Sequence, residues 1–129
     1  MKQLDPGGFA AMRCEDSNGT QIVTVRGEVD LASAPRLRGL ISRAIGQSSG
    51  DPPRIVVDLL GVDFMDTAGL EVLLERWNAL RQFAGSMRLV AHQGPVTRLL
   101  QLTGLDEVLS GDLYPDLGAA MRSVTLVPS

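Results

Sequence analysis

Apolar residues along this chain change their spacing at regular intervals, and the changes mark out strands and helices in turn. Thr20-Gln21-Ile22-Val23-Thr24-Val25-Arg26 alternates and is rich in β-branched side chains, which predicts a strand. Phe9–Cys14 predicts a shorter strand before it. The turn signal Asp16-Ser17-Asn18-Gly19 between them makes the pair an antiparallel hairpin. The spacing then lengthens. Leu37, Leu40, Ile41, Ala44 and Ile45 recur at i, i+3, i+4, i+7 and i+8, one apolar face of a helix. Asp30 or Ser33 suits its start, Pro35 its first turn and Gly46 its stop. After a polar, Pro-rich loop at Gln47–Pro53, Arg54–Leu59 has a continuous β-branched core, the pattern of a strand covered on both faces.

The second half repeats the alternation. Leu70, Leu73, Leu74, Trp77 and Leu80 follow helical spacing up to Gly85, and Met87–Ala91 predicts a short strand. Gly94-Pro95 opens a helix carrying Val96, Leu99 and Leu100, which Thr103-Gly104 closes. A last strand is expected at Glu107–Ser110 and a last helix from about Pro115 to Ser123. The order β-β-α-β-α-β-α-β-α predicts an α/β fold. It is one mixed, mostly parallel sheet of about five strands with about four helices, over residues 9–122. Residues 1–8 and 123–129 are expected to be loose termini. Function in such sheets gathers where strands hand over to helices. Three loops qualify: Gly27–Ser33, Asp63–Gly69 and His92–Pro95.

Composition removes several chemistries. Fifteen acids against twelve bases give a net charge of −3 with no basic stripe, which disfavours nucleic acid and favours a basic protein surface as partner. Lys2 is the only lysine, so a P-loop, a Schiff base or a receiver domain's lysine has no candidate in the folded body. Cys14 and His92 are each the only residue of their type. No internal disulfide, cysteine-based metal site or Ser-His-Asp triad with a Gly-x-Ser-x-Gly elbow follows from them, and neither a metal nor a cofactor is expected. The N-terminus lacks an apolar signal core and no 18-residue apolar run exists, so a soluble, cytoplasmic protein is expected.

One stretch remains. In Met65-Asp66-Thr67-Ala68-Gly69 a carboxylate and a hydroxyl stand beside two very small residues, just before a helix. A helix cap, a nucleophile, a protease motif and a modification site all place such residues together. The aspartic-protease reading fails on its neighbours, since Ala68 interrupts Asp-Thr-Gly and that chemistry needs two carboxylates sharing a proton. The cap and the modification site stay open: Asp66 or Thr67 can satisfy the free N–H groups of the helix, or Thr67 can be reached by a kinase. A phosphoryl group there would add about −1.5 to −2 charges beside Asp66.

Val57-Asp58-Leu59-x-x-Val62-x-Phe64-Met65-Asp66-Thr67-Ala68-Gly69-Leu70 resembles the signature of STAS domains, in particular the bacterial anti-sigma-factor antagonists. Gly27-Glu28-Val29-Asp30, Leu89-Val90 before Gly94-Pro95-Val96, and Leu102-Thr103-Gly104-Leu105 extend the likeness to residues 9–122. The resemblance implies that Thr67 is the phospho-acceptor, a position most often Ser. It places Asp30, Ser33, Met65, Asp66, Thr67, Ala68, Gly69 and Gly94 on or about the partner surface. The implied partner is an anti-sigma factor that is itself a GHKL-type serine/threonine kinase, with a separate serine/threonine phosphatase resetting the switch. The chain would then be a substrate and binding module rather than an enzyme, a monomer or weak dimer without membrane contact. The alternatives are a scaffold or regulatory subunit of a larger sensory complex, and a small-ligand-binding module.

Overall fold

The structure is a computed structural model, and it describes residues 8–125. β1 (Ala10–Glu15) and β2 (Gln21–Val29) form the expected hairpin, with register pairs from Ala10–Arg26 to Glu15–Gln21. Asp16 builds the turn: its carboxylate accepts the N–H groups of Asn18 and Thr20 at 3.0 and 2.8 Å. Then follow α1 (Ala34–Gln47), β3 (Arg54–Met65), α2 (Thr67–Gln82), β4 (Ser86–Val90), α3 (Pro95–Thr103), α4 (Leu105–Val108), β5 (Leu113–Tyr114) and α5 (Leu117–Thr125). The sheet order is β1-β2-β3-β4-β5, antiparallel only at the opening hairpin.

The β-branched run of β3 is covered on both faces, as its continuous apolar pattern requires. Ile55, Val57 and Leu59 face one side with Val23, Val25, Met87 and Leu89, under Leu37 and Ile41 of α1 and Leu70, Leu73 and Trp77 of α2. Val56 and Val90 face the other side, where Ala120 of α5 packs with Leu117 and Met121 close by. The main core therefore lies on the α1–α4 side, and α5 covers only the β3–β5 half of the opposite face.

Two strands are longer than their alternation predicts. β2 continues past Arg26 to Val29, and β3 past Leu59 to Met65, because register shifts between Thr24 and Arg26 and between Gly27 and Glu28 carry the ladder through irregular pairs. Gly27 takes φ +84°, which a bulge needs and other residues resist; a Cβ there would stand 2.1 Å from the Gly8 carbonyl oxygen.

The expected strand at Glu107–Ser110 is wrong. Leu105 and Leu109 are four apart, the Leu109 N–H reaches the Leu105 carbonyl at 2.9 Å, and Leu109 is buried: the segment is helical, and it is a fifth helix beyond the four expected. The strand comes later, as Leu113–Tyr114 beside β4. Helix ends also differ. α1 passes through Gly46 to Gln47. The left-handed residue after α2 is Ala84 (φ 62°), while Gly85 closes the motif by donating its N–H to Leu80 at 2.8 Å. The last helix starts at Leu117, two residues later than Pro115, with Asp116 accepting from the Ala119 N–H at 2.8 Å. No helix of the described residues is long and apolar enough to cross a membrane.

Candidate functional site

β2 and β3 run parallel, with Glu28 beside Phe64 and Val29 beside Met65. Both strands therefore release their next residues at one end of the sheet. The backbone N–H of Asp66 donates to the Val29 carbonyl at 3.0 Å, which ties the two exits together. Asp30 follows on one side and Asp66-Thr67 on the other, so the structure brings these three residues into one corner.

Each exit is fixed by its own side chains. The Asp30 carboxylate accepts the N–H groups of Ala32 and Ser33 at 3.0 and 3.1 Å. Ser33 Oγ accepts the Asp30 N–H at 2.9 Å and lies 3.1 Å from the Glu28 carbonyl, to which it donates. Asp30 and Ser33 therefore build the turn before α1, and neither side chain caps the helix. At the other exit Asp66 is a true cap. It stands in extended backbone and its Oδ1 accepts from the Ala68 N–H at 2.9 Å.

That assignment separates the two open readings of the sequence motif. Asp66 is the cap; Thr67, at the first helical position, is exposed and its hydroxyl has no hydrogen-bond partner among the described residues. The remaining small residues divide by depth. Ala68 is half-buried. Gly69 is buried, and a Cβ on it would stand 2.6 Å from Val29 Cγ1 and 3.1 Å from Met65 Cγ. Gly69 is thus small to let α2 lie against β2 and β3, rather than to clear space for an approaching molecule.

Met65 (4% exposed) and Ser33 (1% exposed) also lie beneath the surface, so neither side chain is open to an approaching molecule. Gly94 is placed elsewhere. β4 ends opposite Asp58, eight residues before Asp66, and Gly94 lines a cleft of about 260 Å³ with Leu59, Leu60 and Val62. It starts α3 without a side-chain cap.

Two exposed apolar residues at the corner escaped the sequence reading. Leu31 is 78% exposed beside Asp30, and Phe64 is 47% exposed beside Glu28. Strict alternation from buried Val62 puts Phe64 inside and Met65 outside; the shift at Gly27–Glu28 reverses them. Leu31 carried a usable signal, as a large apolar residue directly after Asp30 in a turn. The segments 27–35 and 61–75, which run through the two strand ends into α1 and α2, carry Glu28, Asp30, Asp63, Asp66, Glu71 and Glu75 and no base. Among the described residues no group of acids, His and Cys has the arrangement of a metal site.

Comparison with known proteins identifies the fold and the family. The STAS domain family model matches residues 11–120. An anti-sigma F factor antagonist of Paenibacillus polymyxa is 33% identical over 95 residues, 74% of this chain and 80% of that protein. A crystal structure of an anti-sigma factor antagonist from Mycobacterium paratuberculosis superposes with a TM-score of 0.80 at 32% identity, covering 95% of this chain and 99% of that one. The Bacillus protein SpoIIAA shares the fold at 23% identity, with TM-scores of 0.72 for its unphosphorylated form and 0.67 for its phosphorylated form, over 93% and 89% of this chain and 100% and 99% of those. With its family model spanning nearly every described residue, the chain belongs to the STAS domain family.

Proposed function

We propose that this protein is an anti-sigma-factor antagonist whose binding is switched off by phosphorylation of Thr67. Its unphosphorylated form binds an anti-sigma factor, a GHKL-type serine/threonine kinase, and so frees a sigma factor. The kinase modifies Thr67 and a phosphatase restores it. The protein is a binding module and a kinase substrate in the cytoplasm, and performs no catalysis of its own.

One observation carries the reading: Asp66 holds the helix cap, so the Thr67 hydroxyl is exposed and uncommitted at the helix N-terminus. A hydroxyl with a structural duty would be a poor switch, because modifying it would disturb the helix. Names of the relatives support the function, and the SpoIIAA structures add that one protein of this fold exists in both phosphorylation states. The contact surface is Asp30, Asp66, Thr67 and Ala68, with Leu31 and Phe64 as apolar anchors; Gly94 lies off it.

Electrostatics then supply the switch. A partner fitted to Asp30 and Asp66 presents donors or cations shaped around two carboxylates and a neutral hydroxyl. A phosphoryl group overfills that contact and places about two more negative charges among acids. About 1.4 kcal/mol of mismatch weakens binding tenfold. The test is titration of the kinase against wild type, Thr67→Ala and Thr67→Glu. Thr67→Ala binds like wild type and resists inactivation by kinase and ATP, while Thr67→Glu loses at least about tenfold in affinity. Equal binding by both variants, with no phosphate on Thr67 after incubation, overturns the proposal.

A further inference from the structure

β1 is the last strand of the sheet on its side, and among the described residues nothing pairs with its outer edge. The hairpin shows which backbone groups point outward. Asp16 donates its N–H to the Thr20 carbonyl at 2.9 Å, one step beyond the Glu15–Gln21 pair, so by alternation the even-numbered residues bond to β2. The N–H and C=O groups of Ala11, Arg13 and Glu15 therefore face away from the sheet, a ready template for another strand. Beside this edge runs a groove of about 330 Å³ between β1 and α1, lined by Phe9, Ala11, Arg36, Gly39, Leu40 and Arg43. Its floor is apolar. Its helical rim carries two arginines seven residues apart, about 10 Å along the helix. Arg43 makes no ion pair or hydrogen bond among the described residues.

We infer that this groove is a second docking site, separate from Thr67, which takes an extended peptide segment as an added strand on β1. The chemistry of the segment follows from the lining. Side chains at i, i+2 and i+4 of an added strand face the groove and span about 13 Å. The central one must be apolar, to cover Ala11 and Leu40 above the bare backbone of Gly39. The outer ones are acidic, one meeting Arg43 and the other lying toward Arg36. The assignment rests on Arg43, since Arg36 already holds another contact. An acid-x-apolar-x-acid strand is thus the matching ligand: backbone pairing supplies affinity and the arginines select the charge pattern.

The probe is a labelled nonapeptide with a Glu-Thr-Val-Thr-Glu core, titrated by fluorescence anisotropy against the full chain. Hydrogen exchange read on the saturated complex should slow at the Ala11, Arg13 and Glu15 amides and stay unchanged at Met12 and Cys14. Arg43→Glu should weaken binding about tenfold and prefer a Lys-Thr-Val-Thr-Lys probe instead. Gly39→Leu fills the groove; a Cβ at that position meets nothing within 4 Å. This variant should fold with an unchanged or higher Tm and lose the probe. Three results overturn the assignment: no wild-type binding at millimolar probe, wild-type affinity in both variants, or bound probe without slowing at the three outward amides. A concentration-dependent dimer in sedimentation, abolished by Gly39→Leu, gives the groove to a second copy and overturns the peptide assignment too.

Discussion

Two parallel strands of this sheet hand over to helices with a glycine near the crossing, yet only one crossing leaves an exposed hydroxyl uncommitted. Where β3 meets α2, Asp66 caps the helix, its N–H is tied to Val29, and Thr67 is left exposed. Where β4 meets α3, Gly94 starts the helix with no side-chain cap, and Thr97 spends its hydroxyl on the His92 carbonyl at 2.5 Å. The difference is one of division of labour. A crossing can offer a hydroxyl for modification only if another residue holds the helix end. At β3–α2 the acid does that work, whereas at β4–α3 the threonine is itself part of the turn.

The glycines give the sharpest way to break this comparison, because each is needed for a different reason. Gly69→Ala forces a methyl to 2.6 Å from Val29 Cγ1, an overpacking that costs about 1–3 kcal/mol. Gly94→Ala has open space but sits at φ 153°, ψ −162°, a region that glycine alone occupies comfortably, at a similar cost of about 1–3 kcal/mol. Urea denaturation should show both losses. Kinase titration should separate them: Gly69→Ala moves the first turn of α2 and weakens binding, and Gly94→Ala leaves binding intact. Equal effects on binding would mean that the two crossings are equivalent.

Those glycines also show what could be read from the sequence. Alternation and helical spacing suffice to order and type the elements from β1 through α3, since the side chains that make the pattern are the ones that pack in the core. The pattern fails at two kinds of place. At Glu107–Ser110 the segment is too short to show a period, and the contact of Leu105 with Leu109 decided it. At Phe64 and Met65 a register shift inverted the faces, which depends on pairing with β2 and leaves no trace within β3. The candidate site was legible as a string of residues, but not in depth. Asp30, Asp66 and Thr67 meet at the surface, and Ser33, Met65 and Gly69 lie beneath them. Gly94 resembles Gly69 in sequence only.

A smaller effect sharpens the role of the cap. Asp66→Ala removes the acceptor for the Ala68 N–H and should cost about 1 kcal/mol, with exchange at that amide accelerated. Asp66→Asn keeps a capping oxygen and should restore most of that stability. If the acid also contacts the partner, Asp66→Asn should still weaken kinase binding. A stability loss in Asp66→Ala with wild-type binding in both variants would confine Asp66 to capping.

The smallest effect lies at the opposite end of the sheet and serves as the control for the rest. The Ser49 N–H and then the Gln21 amide hold the exposed Glu15 carboxyl below the usual carboxylate range, joining β1 to the loop after α1. A depressed folded-state pKa contributes stability that is fully present above the unfolded value and is lost as pH falls through the folded one. Glu15→Gln removes the ionisable partner, so the small stability gap between wild type and variant should narrow as pH is lowered from about 6 to about 3, across the carboxylate range. Urea midpoints at a series of pH values measure it. A gap that stays constant with pH would show that packing, not the charge of Glu15, joins the loop to β1. Kinase binding should be unchanged at neutral pH, because the bonds of Glu15 lie where β2 begins, and Thr67 stands where β2 and β3 end.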